Sequence, residues 1–444
     1  MGMLSGKAWV LRWPALPVLT DFMNTLVAKA VAQAMGAVEG VTFLQTPWFA
    51  EARVEVVNAN TFRGSVANMI QRGGSQLEQQ KAMIVTVGIA GDTQHLGSVA
   101  RELGLSLAEG KTYAQIAKLI EGFARQYEKG LLDVSSNWQK GVEKDKVEVR
   151  PSSIKGRGYP LPSLVRSVSL YEGGRFSGFR DERPSGSLSR GVFEARCDAA
   201  WWTLILAAAG VSLAAVERVQ DEIRYVFVNF EPVYGLRYDN MTYYQEFSEV
   251  VERFIGQVGL FVEDEELFRL SLLFYVYGVL SSPMIPSRFG IKLRSIRAVG
   301  RRFTEAYLTS IFSSEVEVLH RVLLGYVKAP REAARACSEL GSFTMAIQRS
   351  APAIARELNL DAFASKLKVL LRALSEPGYV PPGEPLYDLL RTMRVGEWRA
   401  RFVGLLSSWI ERRNGCSRES AVKEAREKYD RVMELAATVT RSLR

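Results

Sequence analysis

The stretch AAWWTLILAAAGVSLAAV, residues 199–216, runs for eighteen positions without a charge. Its reading decides between a membrane protein and a soluble one, because a spanning helix needs about 17 to 25 predominantly apolar residues. The content argues for burial. Alanine, glycine and serine make the run weakly lipophilic, and Asp198 and Glu217 close on its two ends. A helix surrounded on all sides by the core of a large domain fits that composition. The second apolar run, LSLLFYVYGVL at 270–280, is too short to span. The chain is therefore read as soluble, with no membrane partner.

The rest of the composition agrees with a folded protein. At 444 residues, 47% hydrophobic and 24% charged, the chain can bury a substantial core and is long enough for two or three domains. Cys197, Cys337 and Cys416 are widely separated, which excludes a disulfide scaffold and a CxxC zinc knuckle and points to a reducing, cytoplasmic setting. The amino-terminal stretch has no long apolar run behind its basic residues, so it does not read as a secretory signal. The net charge is +9, and arginine outnumbers lysine more than twofold. Guanidinium grips phosphate in a bidentate fork and stacks on bases, so this balance favours a nucleic-acid partner, DNA or RNA.

Along the chain, residues 16–39 read as a helix and 51–58 as a strand, from apolar spacings of three to four and of two. NANTFRGSVANMIQRGG (58–74) reads as a loop and a short helix. MIVTVGIAG (83–91) reads as a strand that turns into a helix capped by Asp92. The segment 105–127 gives a turn and a helix, like the first half of a helix-turn-helix whose recognition half is missing. From 142 to 191 glycine, proline, serine and arginine dominate, which suggests a long irregular insertion. YVFVNFEPVYGLRYDNMTYY (225–244) suggests strand, turn and strand. Beyond Phe247 helices predominate, broken by prolines at 376–385, and the tail from Ser417 reads as one long amphipathic helix.

The expected fold class is α+β, a mixed α/β amino-terminal region with a predominantly helical carboxy-terminal one. The expected divisions are 1–145, an insertion at 146–195, an α+β region with a basic helix at 196–300, and a helical domain at 301–444.

Catalytic signatures are sparse. His95 and His320 lie far apart and neither has a metal-ligand neighbour at helical spacing. Glu263, Asp264, Glu265 and Glu266 suit the positive end of a helix. Asp145 beside Lys146 lacks the partners that metal-assisted hydrolysis demands. There is no Walker sequence and no nucleophile elbow. No metal and no cofactor is expected, and an enzyme is the lesser reading.

Positive charge, by contrast, is concentrated. LYEGGRFSGFRDERPSGSLSRG (170–191) and the residues before it carry Arg157, Arg166, Arg175, Arg180, Arg183 and Arg190, with Tyr159, Tyr171, Phe176 and Phe179 between them. Arginine and aromatic side chains interleaved on glycine-rich chain suit phosphate gripping and base stacking. A second cluster, GIKLRSIRAVGRR (290–302), carries Lys292, Arg294, Arg297, Arg301 and Arg302 with no acid. As a helix it would align Arg294, Arg297 and Arg301 on one face, a stripe able to track successive phosphates. Arg391, Arg394, Arg399 and Arg401, with Arg412 and Arg413 further on, form a third cluster in which acids are interspersed, and it reads as ordinary surface.

The order of these parts resembles the large subunit of an archaeal type I-A CRISPR surveillance complex: a mixed α/β front, the basic loop RFSGFRDERPSGSLSRG, the basic segment KLRSIRAVGRR and a helical final third. The resemblance implies a non-catalytic subunit of an antiviral ribonucleoprotein. Such a subunit sits beside guide RNA and other protein subunits, recognises the target DNA and contacts its displaced strand. It carries over no individual site residue. Two alternatives stand beside it: a metal-dependent enzyme acting on nucleic acid through dispersed carboxylates, and a structural or membrane-associated assembly protein.

Overall fold

Residues 199–212 of the opening stretch form a helix in which every side chain is buried, and the chain then turns directly into a strand. This is a computed structural model, and it describes residues 8–87, 91–107, 109–134, 136–143, 146–154, 158–166, 193–219, 222–259, 264–282, 288–299, 302–394 and 396–443. Among the described residues no helix is long and apolar enough to cross a membrane.

The elements in chain order begin with β1 (Ala8–Pro14), α1 (Pro17–Gln33), β2 (Val38–Gln45), β3 (Phe49–Val56) and α2 (Ala59–Gln79). After a 3-10 turn at Asp92–His95 come α3 (Leu96–Glu102), α4 (Thr112–Glu128), β4 (Trp138–Glu143), β5 (Lys146–Pro151), β6 (Tyr159–Pro160) and β7 (Phe193–Cys197). The buried helix is α5 (Ala199–Ser212), followed by β8 (Leu213–Val219), β9 (Glu222–Pro232), β10 (Arg237–Tyr238), α6 (Thr242–Val258) and α7 (Glu265–Val279). Two long strands, β11 (Phe289–Val299) and β12 (Arg302–Phe312), precede the carboxy-terminal helices. Those are α8 (Ser313–Tyr326), α9 (Pro330–Ser350), α10 (Pro352–Glu357), α11 (Leu360–Ser375), α12 (Gly383–Arg394), α13 (Gly396–Asn414) and α14 (Arg418–Ser442). The fold class is α+β, as expected.

The chain divides into two compact units, Met1–Ser248 with Ser287–Ser310 and Glu249–Pro286 with Ile311–Arg444. These cuts differ from the expected boundaries at 145, 195 and 300. The reason is topological: β11 pairs with β9 along its whole length, from Phe289 opposite Pro232 to Ala298 opposite Ile223, and this draws the later hairpin into the first unit.

Among the described residues, the first unit holds three four-stranded sheets, ordered β1-β3-β2-β10, β4-β5-β7-β6 and β12-β11-β9-β8. Helix α5 is capped by Asp198, whose carboxylate accepts from the Trp201 amide at 2.9 Å, and Trp201 meets Trp138 edge-on at 5.2 Å. The segment 58–74, expected to be a loop and a short helix, is instead most of the 21-residue α2, with Asn58 accepting from the Thr61 amide at its start. Its glycines are contact points. A Cβ on Gly73 would lie 2.2 Å from the Ala207 carbonyl oxygen, and one on Gly210 would lie 2.2 Å from the Gly73 carbonyl oxygen. Small residues let α2 and α5 approach backbone to backbone, which side chains of normal size would prevent. Gly73→Ala is therefore expected to destabilise the protein by about 1–3 kcal/mol, the usual cost of overpacking, despite alanine's better helix propensity. A thermal melt equal to that of the wild type would contradict this contact.

Other expectations change for similar reasons. Residues 83–87 form no strand; the Met83 carbonyl accepts from the Tyr225 hydroxyl at 2.8 Å, and Thr86 turns back onto Asp92. Asp92 does not cap a helix. Part of the segment expected to be irregular is the β4–β5 hairpin, Trp138 opposite Pro151 through Glu143 opposite Lys146. The strand–turn–strand reading of 225–244 holds for β9 and the two-residue β10, after which α6 begins.

In the second unit, α7 is capped by Asp264, which accepts from the Leu267 amide at 3.0 Å, and Glu265 and Glu266 occupy its first turn as expected. The proline-rich break falls between α11 and α12, and Ser417 caps the long α14.

Candidate nucleic-acid interface

The basic segment read as a helix is a strand, and this redistributes its charges. Along β11 the side chains alternate between faces, so Arg294 and Arg297, three residues apart, point to opposite sides. The register pairs Arg294 with Phe227 and Lys292 with Asn229 on one face, and Arg297 with Arg224 on the other.

Helix α1 packs on the first of these faces, with Phe22 against Phe227 at 4.9 Å and Thr25 Oγ1 accepting from the Phe230 amide at 2.9 Å. There Asp21 accepts from Arg294 Nη2 at 2.8 Å and from its Nε at 3.2 Å, and Glu305 meets the same guanidinium from β12. Lys292 Nζ reaches Asp21 Oδ1 at 3.1 Å and Glu231 Oε1 at 3.5 Å. Arg294 is 2% exposed. Each of these charges is stable in the core only because its partners are there. The expected phosphate contacts Lys292 and Arg294 are thus corrected: they are committed to carboxylates inside the first unit.

Burial alone would lower the Lys292 ammonium, but Asp21 and Glu231 together outweigh it and hold the group above its ordinary value. Burial also pushes the Tyr127, Tyr225 and Tyr238 hydroxyls up to about 12. All four hold their protons more tightly folded than unfolded. The stability they lend is complete below about pH 10 and is lost as pH rises toward 12. Chemical-denaturation midpoints are expected to be flat from pH 8 to about 10 and to fall steeply above it; a flat profile to pH 12 would contradict these assignments.

The opposite face, at the end of the sheet, is different. Arg297 is exposed, and its Nε donates to Thr304 Oγ1 at 2.9 Å. Among the described residues it makes no ion pair, and it stands directly across the ladder from Arg224. Like charges opposite each other weaken a strand pair unless something neutralises them. Arg224 has Glu222 at 2.7 Å and Glu217 opposite it on β8, which leaves Arg297 as the open charge of the row. Ile223 lies opposite Ala298, and Val219 opposite Glu222, so the β8–β9 and β11–β12 connections fall at this same end. Only Gly300 and Arg301 separate the ends of β11 and β12, and Arg302 begins β12.

The chain matches no protein-family model and no curated protein.

Of the other expected contacts, Arg166 is half-buried, and its Nη2 donates to Ser163 Oγ at 3.3 Å. Ser163 in turn is fixed by Asp92, a buried carboxylate that accepts from the Ser163 amide and hydroxyl and from the Thr86 amide, at 2.9 to 3.1 Å. Arg166 is thus anchored at the near end of the arginine-rich stretch. Arg157, Arg175, Arg180, Arg183, Arg190 and Arg301 lie outside the described residues.

Glu102 and Asp198 line a cleft of about 470 Å³ with Ser153, Ile154, Gly158 and Tyr159. Tyr159 donates to Glu102 at 2.9 Å and Ser153 to Asp198 at 2.9 Å, and burial raises the Asp198 carboxyl. Among the described residues no group of three or more His, Cys, Asp or Glu side chains is arranged to hold a metal ion. His95 lies edge-on to Tyr159 at 5.7 Å; burial lowers its imidazole, Asp92 opposes that shift and Arg166 adds to it.

Sequence reasoning missed Arg224 and Thr304, which belong to the row only through strand register. Their signal was the alternation of Phe289, Ile291 and Leu293 with Lys292 and Arg294, which marks a strand where the arginine spacing alone suggested a helix.

Proposed function

We propose that this protein is a non-catalytic nucleic-acid-binding subunit of a larger ribonucleoprotein assembly, and that the β8–β9 and β11–β12 end of its sheet contacts the phosphate backbone. The observation that carries the reading is Arg297: exposed, free of carboxylate partners among the described residues, opposite another arginine, and followed in sequence by Arg301 and Arg302. An anion lying along this row would neutralise Arg297, the charge that Glu222 and Glu217 leave open beside Arg224. The arginine-rich stretch that begins beyond Arg166 supplies further cations in the same unit. The resemblance in layout to a CRISPR surveillance subunit makes RNA-guided target recognition the setting that fits best, with guide RNA, target DNA and other subunits as partners in the cytoplasm.

Fluorescence anisotropy of the purified chain with duplex DNA, single-stranded DNA and RNA at low salt tests the reading. Binding that weakens steeply as salt is added is the expected result. Absence of binding to all three at low salt would overturn it.

A further inference from the structure

The second unit carries an exposed stripe that the first-unit site does not absorb. On α12 the side chains of Pro385, Leu386, Leu389 and Met393 are buried, and the outward face presents Glu384, Tyr387, Asp388, Arg391 and Arg394. Tyr387 is 66% exposed, an aromatic ring with no covering side chain to account for it. Arg391 follows it by four residues and Arg394 by seven, so the three lie along one helical face about 6 and 10 Å apart in rise.

Several cations elsewhere in this unit are paired with carboxylates. Lys368 meets Asp264 at 2.7 Å, and Arg431 meets Glu339 at 2.7 Å and Glu434 at 2.9 Å. Among the described residues Arg391 and Arg394 make no ion pair, although Asp388 is on the same face. Glu384 sits in the first turn, where the helix dipole accounts for it, whereas the arginines gather at the other end. Arg399, from the start of α13, lies 5.2 Å from the centre of the Tyr429 ring, and the Tyr429 hydroxyl donates to the Met393 carbonyl. Burial holds that hydroxyl above its ordinary value, with Arg399 and Arg394 opposing the shift and Asp430 adding to it. Arg394 and Arg399, from the adjoining ends of α12 and α13, therefore both lie by Tyr429.

We propose that this stripe binds single-stranded nucleic acid, with an unpaired base stacked on Tyr387 and the adjoining phosphates on Arg391, Arg394 and Arg399. The inference rests on the nucleic-acid reading above and adds to it a second surface with a preference for unpaired strands. A base offers its face to a tyrosine only when it is free of a duplex stack, and guanidiniums without carboxylate partners keep their donors for phosphate.

The test uses the full chain and two probes, a fluorescent oligothymidylate and its duplex with oligoadenylate. Tyr387→Ala is expected to weaken oligothymidylate binding about tenfold or more while Tyr387→Phe preserves it, since the ring stacks and the hydroxyl does not. Arg391→Glu with Arg394→Glu is expected to weaken it further, and duplex binding is expected to stay at the wild-type level in all three. The exposure of Tyr387 makes its replacement neutral for thermal stability, which a melt checks. Wild-type oligothymidylate affinity in both Tyr387→Ala and the double charge reversal would overturn this inference and leave the broader reading standing. Salt-sensitive wild-type binding to the duplex with none to the single strand would do the same. Failure of the wild type to bind either probe at low salt would overturn this inference, and failure to bind RNA as well would overturn both.

Discussion

Replacing Asp21 by alanine is expected to lower the unfolding free energy by about 3–5 kcal/mol, the cost of breaking a buried ion-pair network from one side. Asp21 is the shared acceptor of Arg294 and Lys292, and the substitution removes two hydrogen bonds from a guanidinium that is 2% exposed. Glu305 and Glu231 remain but cannot take over the α1 side of the network. Loss of this size is a large part of the stability of an ordinary domain. The change should register as a drop in melting temperature of the first unit, and a melt within a degree or two of the wild type would show that the network is not structural. Converting Asp21, Lys292, Arg294, Glu231 and Glu305 together to well-packed apolar residues is expected to cost far less than the single change, because no charge is then stranded.

The second large effect concerns binding. Removing the open end of the sheet with Arg297→Ala, Arg301→Ala and Arg302→Ala should reduce the slope of log affinity against log salt by roughly 2 to 3 on duplex DNA, at about 0.9 per phosphate released. Affinity at low salt should fall most, and at high salt the variant and the wild type should converge. The effect should be much the same for unrelated duplex sequences, since phosphate contacts position a protein without reading bases. An unchanged slope would remove this end of the sheet from the interface and shift attention to the arginine-rich stretch.

Asp21 and Arg297 bear on opposite faces of β11, and the 290–302 segment marks where the sequence was legible and where it was not. Helices were readable where apolar spacing and caps coincide, as in α7 and α14, whereas α1, read from spacing alone over 16–39, ends at Gln33 and gives way to β2 at Val38. The buried nature of 199–212 followed from a composition too poor in large aliphatics for lipid and too apolar for water. The 290–302 segment misled because arginines at 294, 297 and 301 have helical spacing, whereas the strand is declared by Phe289, Ile291 and Leu293. Its pairing with β9 joins residues far apart in the chain, and that register decides which arginine is buried. Similarly, the glycines of 58–74 look like punctuation until α5 is placed against them. The carboxylates that neutralise Lys292 and Arg294 come from α1, β9 and β12, and no local pattern connects them.

The division of the basic segment between core and surface is tested most directly by the thermal melt of Arg294→Ala beside that of Arg297→Ala. A melting temperature far below the wild type for the first, and one indistinguishable from it for the second, is the predicted result. Equal melts for the two variants, or a greater loss for Arg297→Ala, would contradict the assignment of Arg294 to the fold and of Arg297 to the interface.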